Sequence, residues 1–173
     1  GLPIPPFKAR LVDDDDRDVP QGEVGELLIS GPAVMREYLH QPEATEKTLK
    51  GGWLHTGDLA RMDEDGFIYI VDRKKDLIIR GGYNVYPREI EEVLYTLEDV
   101  AEAAVIGMPH QDLGEEVSAV VVLRKGSKLT AEEIKQYIKD RVAAYKYPRV
   151  VKIMDELPKT STGKILKRGI KAE

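Results

Sequence analysis

Two charged residues in the first half of the sequence have side chains suited to holding a sugar or a phosphate. Asp58 follows Gly57, and its carboxylate can accept hydrogen bonds from two neighbouring hydroxyls at once. Arg73 follows an apolar run, and its planar head of five donors suits ribose oxygens or phosphates. Each also has a plainer interpretation: Asp58 as the cap of a turn before a strand, and Arg73 as a surface ion pair with Asp72 or Asp76.

Two segments of the second half could also contact a phosphate-bearing ligand. The pair Gly81-Gly82 permits positive φ and lets a thin ligand lie along bare backbone, although a plain turn needs no ligand. Residues 158–164 form a polar loop that ends in Lys164. A lysine on a mobile loop can stabilise charge that develops on a phosphate in a transition state. The loop lacks the spacing of a phosphate-cradling motif, and a disordered tail is the alternative.

Other candidate sites are not supported by their spacing. His40, His55 and His110 have no carboxylate or cysteine at metal-ligand spacing. Ser161 has no visible base to activate it, and the acidic run at residues 13–16 is typical of a solvated loop. We therefore expect no metal site within this sequence.

The composition indicates an ordinary globular protein. The 173 residues are 42% hydrophobic and 33% charged, with a net charge of −5. Without a basic block, nucleic acid is not expected as a partner. Cysteine is absent, which fits a reducing compartment, and no apolar run is long enough to span a membrane, so a cytoplasmic location is expected. The sequence leaves the oligomeric state open.

The first part of the chain is predicted to be rich in strands. A hairpin is expected around the turn at residues 63–66, and one short helix is expected at residues 43–49. The predicted strands are residues 7–12, 24–30, 59–62 and 67–71. This pattern predicts residues 1–72 to be part of a small β-barrel.

The rest of the chain mixes helices and strands. Ile90, Val93, Leu94 and Leu97 share one helical face behind Pro87. A capping box at residues 130–133 begins a second helix, whose apolar face is Ile134, Tyr137, Ile138, Val142 and Tyr145. Strands are expected at residues 77–79, 101–107, 117–123 and 150–154, with 117–123 central because it is continuously apolar. We predict an α+β fold: the partial barrel, then a compact domain over residues 73–173 with a small central sheet flanked by helices.

The order of these segments resembles that of the adenylate-forming enzymes, a superfamily of acyl-CoA synthetases, coumarate-CoA ligases, luciferases and peptide-synthetase adenylation domains. The resemblance extends over the whole sequence, and the segment from Gly82 to Glu91 is most similar to the fatty acyl-CoA ligases. The segments that carry it are Gly25-Glu26-Leu27, Ser30-Gly31-Pro32, Thr56-Gly57-Asp58, Asp72-Arg73, Gly81-Gly82-Tyr83, Pro87, Glu89-Ile90-Glu91 and Pro158-Lys159-Thr160 through Gly163-Lys164.

The resemblance implies a two-step reaction. A carboxylate attacks the α-phosphate of ATP in the presence of Mg²⁺, and CoA then displaces AMP to form a thioester. Asp58 and Arg73 would hold the ribose, Asn84 would face the nucleotide, and Lys164 would stabilise the adenylation transition state. Lys75 would be the hinge about which the C-terminal domain rotates between the steps. The glycine pair Gly81-Gly82 would lie along the pantetheine arm of CoA.

The sequence departs from the family pattern in two respects. Coumarate-ligase and luciferase relatives carry a lysine where this chain has Ile79, so a second-step role does not transfer to that position. The phosphate loop, adenine pocket, Mg²⁺ ligand and acyl tunnel of the family are expected upstream of Gly1. The sequence is therefore interpreted as part of a longer protein, and it is expected to be inactive alone.

Two other functions stay open at this point. The first is an adenylation domain that loads an amino or aryl acid onto a carrier-protein thiol. The second is a non-catalytic α+β interaction module. The identity of the acid is not determined, because its pocket would lie upstream.

Overall fold

The computed structural model describes residues 1–170, and the chain divides into two compact units, Gly1–Lys75 and Asp76–Glu173. The boundary predicted between residues 72 and 73 lies three residues before this division. The helices in the described part of the chain lack the length and apolarity needed to cross a bilayer.

The first unit is built on an antiparallel five-stranded sheet. Its central strand pairs with one neighbour along one edge and with two shorter segments along the other. The elements are β1 (Lys8–Val12), β2 (Val24–Ser30), α1 (Pro42–Thr48), β3 (Leu49–Lys50), β4 (Trp53–Met62) and β5 (Ile68–Arg73). The strand-rich, barrel-like half predicted from the sequence is confirmed.

The central strand β4 is longer than expected, and this corrects one prediction. Asp58 was placed on a turn before a strand, but β4 runs through Gly57 and Asp58 to Met62. Two irregularities in pairing interrupt the strand, one against β2 and one against β5. Gly57 has a φ of +72°, which accounts for the turn-like sequence inside a strand.

The second unit places helices against a mixed sheet. A 3₁₀ turn at Lys74–Asp76 ends at the first residue of this unit. Its elements are β6 (Ile78–Arg80), β7 (Tyr83–Val85), α2 (Pro87–Tyr95), β8 (Val100–His110), β9 (Gly114–Leu123), α3 (Ala131–Lys139), β10 (Val150–Met154) and a 3₁₀ turn at Lys167–Gly169. Strand β9 pairs antiparallel with β8 and β6 and parallel with β10, so the predicted central position of this segment is confirmed. The α+β class is likewise confirmed.

Strand β9 is continuously apolar because both of its faces are covered. Val117, Ala119 and Val121 pack in the larger core with α2 and α3. Val120 packs on the opposite face with Leu157 and Ile170, which flank the loop that carries Lys164. A half-exposed strand would alternate apolar with polar residues. The continuous apolar run of β9 therefore indicates that both faces of the strand are buried.

Both helices are shorter than their apolar patterns predicted. Leu97 lies beyond the end of α2, and Val142 and Tyr145 lie beyond the end of α3, yet all three pack against the same core. The chain continues in turns that keep these side chains on the buried side, which a helical pattern cannot distinguish from one more helical turn. The capping box of α3 forms as predicted, with Thr130 and Glu133 exchanging hydrogen bonds.

Candidate functional site

Asp58 and Arg73 are brought together by the pairing of β4 and β5. The two residues are directly opposite each other in the ladder. The Arg73 Nε atom lies 3.6 Å from Asp58 Oδ1, and the side chains are 59% and 35% exposed. The backbone N–H of Arg73 also donates to Asp72. A partly exposed carboxylate beside a guanidinium presents both acceptors and donors to a polar ligand.

These two residues line an open pocket of 430 Å³. Its other lining residues are Thr56, Gly57, Lys74 and Lys75. Three residues singled out from the sequence, Asp58, Arg73 and Lys75, therefore share one pocket in the first unit. Three cations and one carboxylate line it, which favours an anionic, hydroxyl-bearing ligand.

Behind this pocket lies Glu26 of β2, which the sequence analysis gave no role. Glu26 is 7% exposed, and it accepts hydrogen bonds from the Gly57 N–H at 3.2 Å and from Lys74 Nζ at 3.0 Å. Burial alone would raise the pKa of Glu26, but the hydrogen bond and charge of Lys74, with Gly57 and His55, hold that pKa below its ordinary value. An acidic residue in the apolar run of β2 was the available signal.

The glycine pair of the second unit forms the turn of a tight hairpin. Gly81 and Gly82 have φ values of +56° and +83°, and they connect β6 to β7. Strand β7 was not predicted, because three residues are too few to give a pattern. Asn84 lies on β7 opposite Ile79, and both are exposed. The exposed glycine backbone could pack along a thin ligand.

Lys164 lies at the end of a compact loop rather than an unstructured tail. The Thr160 N–H donates to the carbonyl of Lys164 at 2.8 Å, and the Lys164 N–H donates to Thr160 Oγ1 at 3.1 Å. Gly163 closes the turn with its N–H on the Thr160 carbonyl. Lys164 itself is exposed. The backbone of the loop is therefore closed by hydrogen bonds, while the side chain of Lys164 is exposed.

Two ion pairs attach the flanks of this loop to the rest of the second unit. Lys159 pairs with Glu102 of β8. Lys167 pairs with Glu91 of α2 at 2.7 Å, and Glu91 also accepts the Val105 N–H at 2.8 Å. These contacts hold the backbone of the loop in position both before and after Lys164.

Within residues 1–170, His, Cys, Asp and Glu side chains form no group of three or more that could hold a metal ion.

Two family models match the chain. Residues 1–39 match the AMP-binding enzyme model, and residues 89–164 match the model of the AMP-binding enzyme C-terminal domain.

Curated relatives match almost the whole sequence. A long-chain-fatty-acid–CoA ligase of Escherichia coli O6:H1 is 49% identical over 173 residues, which are 100% of this chain and 31% of that protein. A feruloyl-CoA synthase of an Amycolatopsis species is 46% identical over 167 residues, which are 96% of this chain and 34% of the relative. The chain thus spans about a third of the length of these relatives.

Solved structures of similar enzymes share the fold. The o-succinylbenzoate CoA synthetase of Bacillus subtilis, in complex with its acyl-adenylate intermediate, aligns with a TM-score of 0.93 at 38% identity. The alignment covers 100% of this chain and 35% of that one. The same enzyme is also known in complex with ATP and a magnesium ion. Family models, relatives and structures agree, and the chain belongs to the AMP-binding, adenylate-forming enzyme family.

Proposed function

We propose that this chain is the C-terminal portion of an ATP-dependent fatty acid–CoA ligase. In the first step, the acid carboxylate attacks the α-phosphate of ATP, giving acyl-AMP and pyrophosphate. In the second, the CoA thiol attacks the acyl carbonyl and AMP leaves, giving acyl-CoA. The observation that carries the proposal is the 49% identity to a long-chain-fatty-acid–CoA ligase along all 173 residues.

The pocket of the first unit supports a nucleotide-binding role. Asp58 would accept hydrogen bonds from the ribose hydroxyls, and Arg73 would donate to the ribose or phosphate oxygens. In this proposal, residues 1–72 are the end of the barrel subdomain and residues 73–173 are the mobile domain. Lys75 is the hinge between them, and it lies next to the division between the two compact units.

The second unit would supply the residues that alternate between the two steps. Lys164 would stabilise the charge on the α-phosphate during adenylation, since its loop presents the ammonium to solvent. Gly81 and Gly82 would lie along the pantetheine arm of CoA, and Asn84 would face the nucleotide. ATP and CoA are consumed as co-substrates, so we also propose a cytoplasmic location. Mg²⁺ would be held by residues outside this chain.

The test is the acid requirement of the complete gene product. Purified enzyme is mixed with ATP, Mg²⁺, CoA and one acid at a time: a long-chain fatty acid, a medium-chain fatty acid, ferulate or o-succinylbenzoate. We expect pyrophosphate release and an acyl-CoA product with the fatty acids. Failure of every fatty acid, with another acid giving the thioester, would contradict the proposal.

An aryl-acid CoA ligase is the second candidate, because the feruloyl-CoA synthase is 46% identical. The ferulate reaction in the same panel separates it from the first. A carrier-protein adenylation domain would release pyrophosphate without forming a CoA thioester.

A further inference from the structure

Glu26 lies behind the residues proposed to hold ribose, and its partner Lys74 lines the same pocket as they do. Each carboxylate oxygen of Glu26 has its own partner: Oε1 accepts the Gly57 N–H at 3.2 Å, and Oε2 accepts Lys74 Nζ at 3.0 Å. Glu26 does not line the pocket, and only 9% of its side chain is exposed. Its contacts are therefore with protein groups that shape the pocket.

The two partners of Glu26 are sequence neighbours of the two ribose candidates. Gly57 precedes Asp58 on β4, and Lys74 follows Arg73 at the end of β5. One carboxylate consequently connects the backbone N–H of Gly57 with the side-chain ammonium of Lys74. Since Asp58 and Arg73 belong to different strands, this contact links the two segments that carry them.

The local backbone needs such a tie. Gly57 has a φ of +72°, and the ladder changes register on both sides of β4 near this point. Thr56 adds a second restraint, because its hydroxyl donates to the Leu27 carbonyl at 2.7 Å and accepts the Asp58 N–H at 3.1 Å. Strand pairing with β5 places Asp58 opposite Arg73, and the contacts of Glu26 and Thr56 add restraints on the irregular β2 side of the strand.

Lys74 is held from two sides. Its Nζ lies 2.8 Å from Asp14 Oδ1 and 3.0 Å from Glu26 Oε2. His55 Nδ1 lies 3.5 Å from the same Glu26 oxygen. The ammonium balances the buried carboxylate, and removal of Lys74 would leave the charge of Glu26 poorly compensated.

We propose that Glu26 and Lys74 act as a positioning clamp that sets Asp58 and Arg73 for the ribose of ATP. The inference rests on the proposed function, because it takes Asp58 and Arg73 as the ribose-binding residues. Glu26 does not line the pocket and would act through its neighbours, whereas Lys74 lines the pocket and enters the clamp through its contact with Glu26.

The experiment measures how well the complete enzyme discriminates ATP from 2′-deoxyATP and 3′-deoxyATP. The readout is kcat/KM for acyl-AMP formation with each nucleotide. A purely structural pair would change stability without changing this ratio. The variants are Glu26→Gln, which keeps the shape and an acceptor for Gly57, and Lys74→Met, which removes only the cation.

We expect both variants to raise the KM for ATP about tenfold and to lower the preference for ATP over the deoxy nucleotides by a similar factor. The KM values for the fatty acid and for CoA should stay within about twofold. Lys74→Arg keeps the cation and should retain the wild-type preference. Lys74→Met tests the clamp independently in the case in which Glu26→Gln does not fold.

Two reference variants make the outcomes distinguishable. Asp58→Asn should abolish the preference for ATP. Asp18→Asn removes an ion pair to Arg10 in the same sheet, at 2.7 Å and away from the pocket, and should leave the preference unchanged. If Asp58→Asn alters the preference and the Glu26 and Lys74 variants do not, the clamp is overturned. If Asp58→Asn has no effect, the ribose role is overturned, and the clamp with it.

Discussion

At the scale of single residues, Lys164 has the clearest chemical role to test. Its loop is closed by hydrogen bonds between Thr160 and Lys164, and the flanking Lys167 is paired with Glu91. These contacts hold the backbone of the loop in position, while the side chain of Lys164 stays exposed. A long cationic side chain on a loop that is held in this way can reach a phosphate without a movement of the loop itself.

We predict that Lys164→Ala in the complete enzyme slows adenylation by about two to three orders of magnitude. The lost electrostatic stabilisation of the transition state is worth ~3–4 kcal/mol. Thioester formation from added acyl-AMP should be much less affected, because the proposed rotation removes Lys164 from the site by then. Separate assays of pyrophosphate release and of thioester formation check this.

Lys125→Ala is the matched control, since Lys125 is also an exposed lysine on a loop of the second unit. It should leave both half-reactions unchanged. Equal losses in the two half-reactions of Lys164→Ala would contradict the rotation.

At the scale of elements, the hairpin of β6 and β7 is built around its two glycines. A Cβ on Gly82 would meet no atom within 4 Å, but the φ of +83° is unfavourable for any residue with a side chain. We predict that Gly82→Ala costs about 1–2 kcal/mol of folding free energy. If the pantetheine arm lies on this turn, the KM for CoA should also rise, while the KM for ATP in adenylation does not. Melting curves and steady-state kinetics measure the two effects.

Gly126→Ala separates backbone strain from ligand contact. Gly126 has a φ of +92°, again with nothing within 4 Å of an added Cβ, and it lies on the turn between β9 and α3. The stability loss should match that of Gly82→Ala, with no change in the KM for CoA. A similar rise in both variants would argue against a CoA contact at Gly82.

A second element-scale contact connects β6 to β9. Arg80 and Glu116 form a two-point ion pair in which each side chain is 14% exposed, with a distance of 3.0 Å between Arg80 Nη2 and Glu116 Oε2. Burial would raise the pKa of Glu116, but Arg80 and the Val117 N–H hold it below its ordinary 4.5. Because its pKa is lower in the folded state than in the unfolded state, the ionised carboxylate stabilises the fold above about pH 4.5. This contribution is lost as the pH falls through the folded pKa.

We predict that Glu116→Gln lowers stability by about 1.5–3 kcal/mol at pH 7, the typical value of a hydrogen bond to a charged group. The difference from wild type should shrink below pH 4.5, where the carboxyl becomes protonated. Calorimetric melting temperatures across this range measure it. Glu92→Gln is the control, since the Arg88–Glu92 pair is 54% and 68% exposed and should contribute little. A difference that persists unchanged at low pH would exclude the ion pair as its source.

At the scale of the whole molecule, the proposed reaction needs more than this chain. The relatives are about three times longer, and their remaining length would supply the phosphate loop and the acid pocket. We predict that the isolated 173-residue polypeptide gives no fatty-acid-dependent exchange of pyrophosphate into ATP. The same polypeptide with Lys164→Ala sets the background. Exchange above that background would show that these residues suffice for adenylation.

Much of the fold could be predicted from local pattern. The capping box began α3, the apolar stripe gave the buried face of α2, and the unbroken apolar run of β9 indicated cover on both sides. These signals depend on residues within about a turn or a strand of each other. Helix ends were less accurate, because the turns after α2 and α3 bury the same side of the chain as the helices do.

The sequence by itself determined the family and the residue types able to bind ribose and phosphate: a carboxylate, a guanidinium and a loop lysine. Only the tertiary structure decided that Asp58 lies in a bulged strand opposite Arg73. It also decided that Glu26 lies behind them, bonded to a lysine 48 residues away. The irregular register beside Gly57 depends on how β2, β4 and β5 pair, and the residues next to Gly57 in sequence do not specify that pairing.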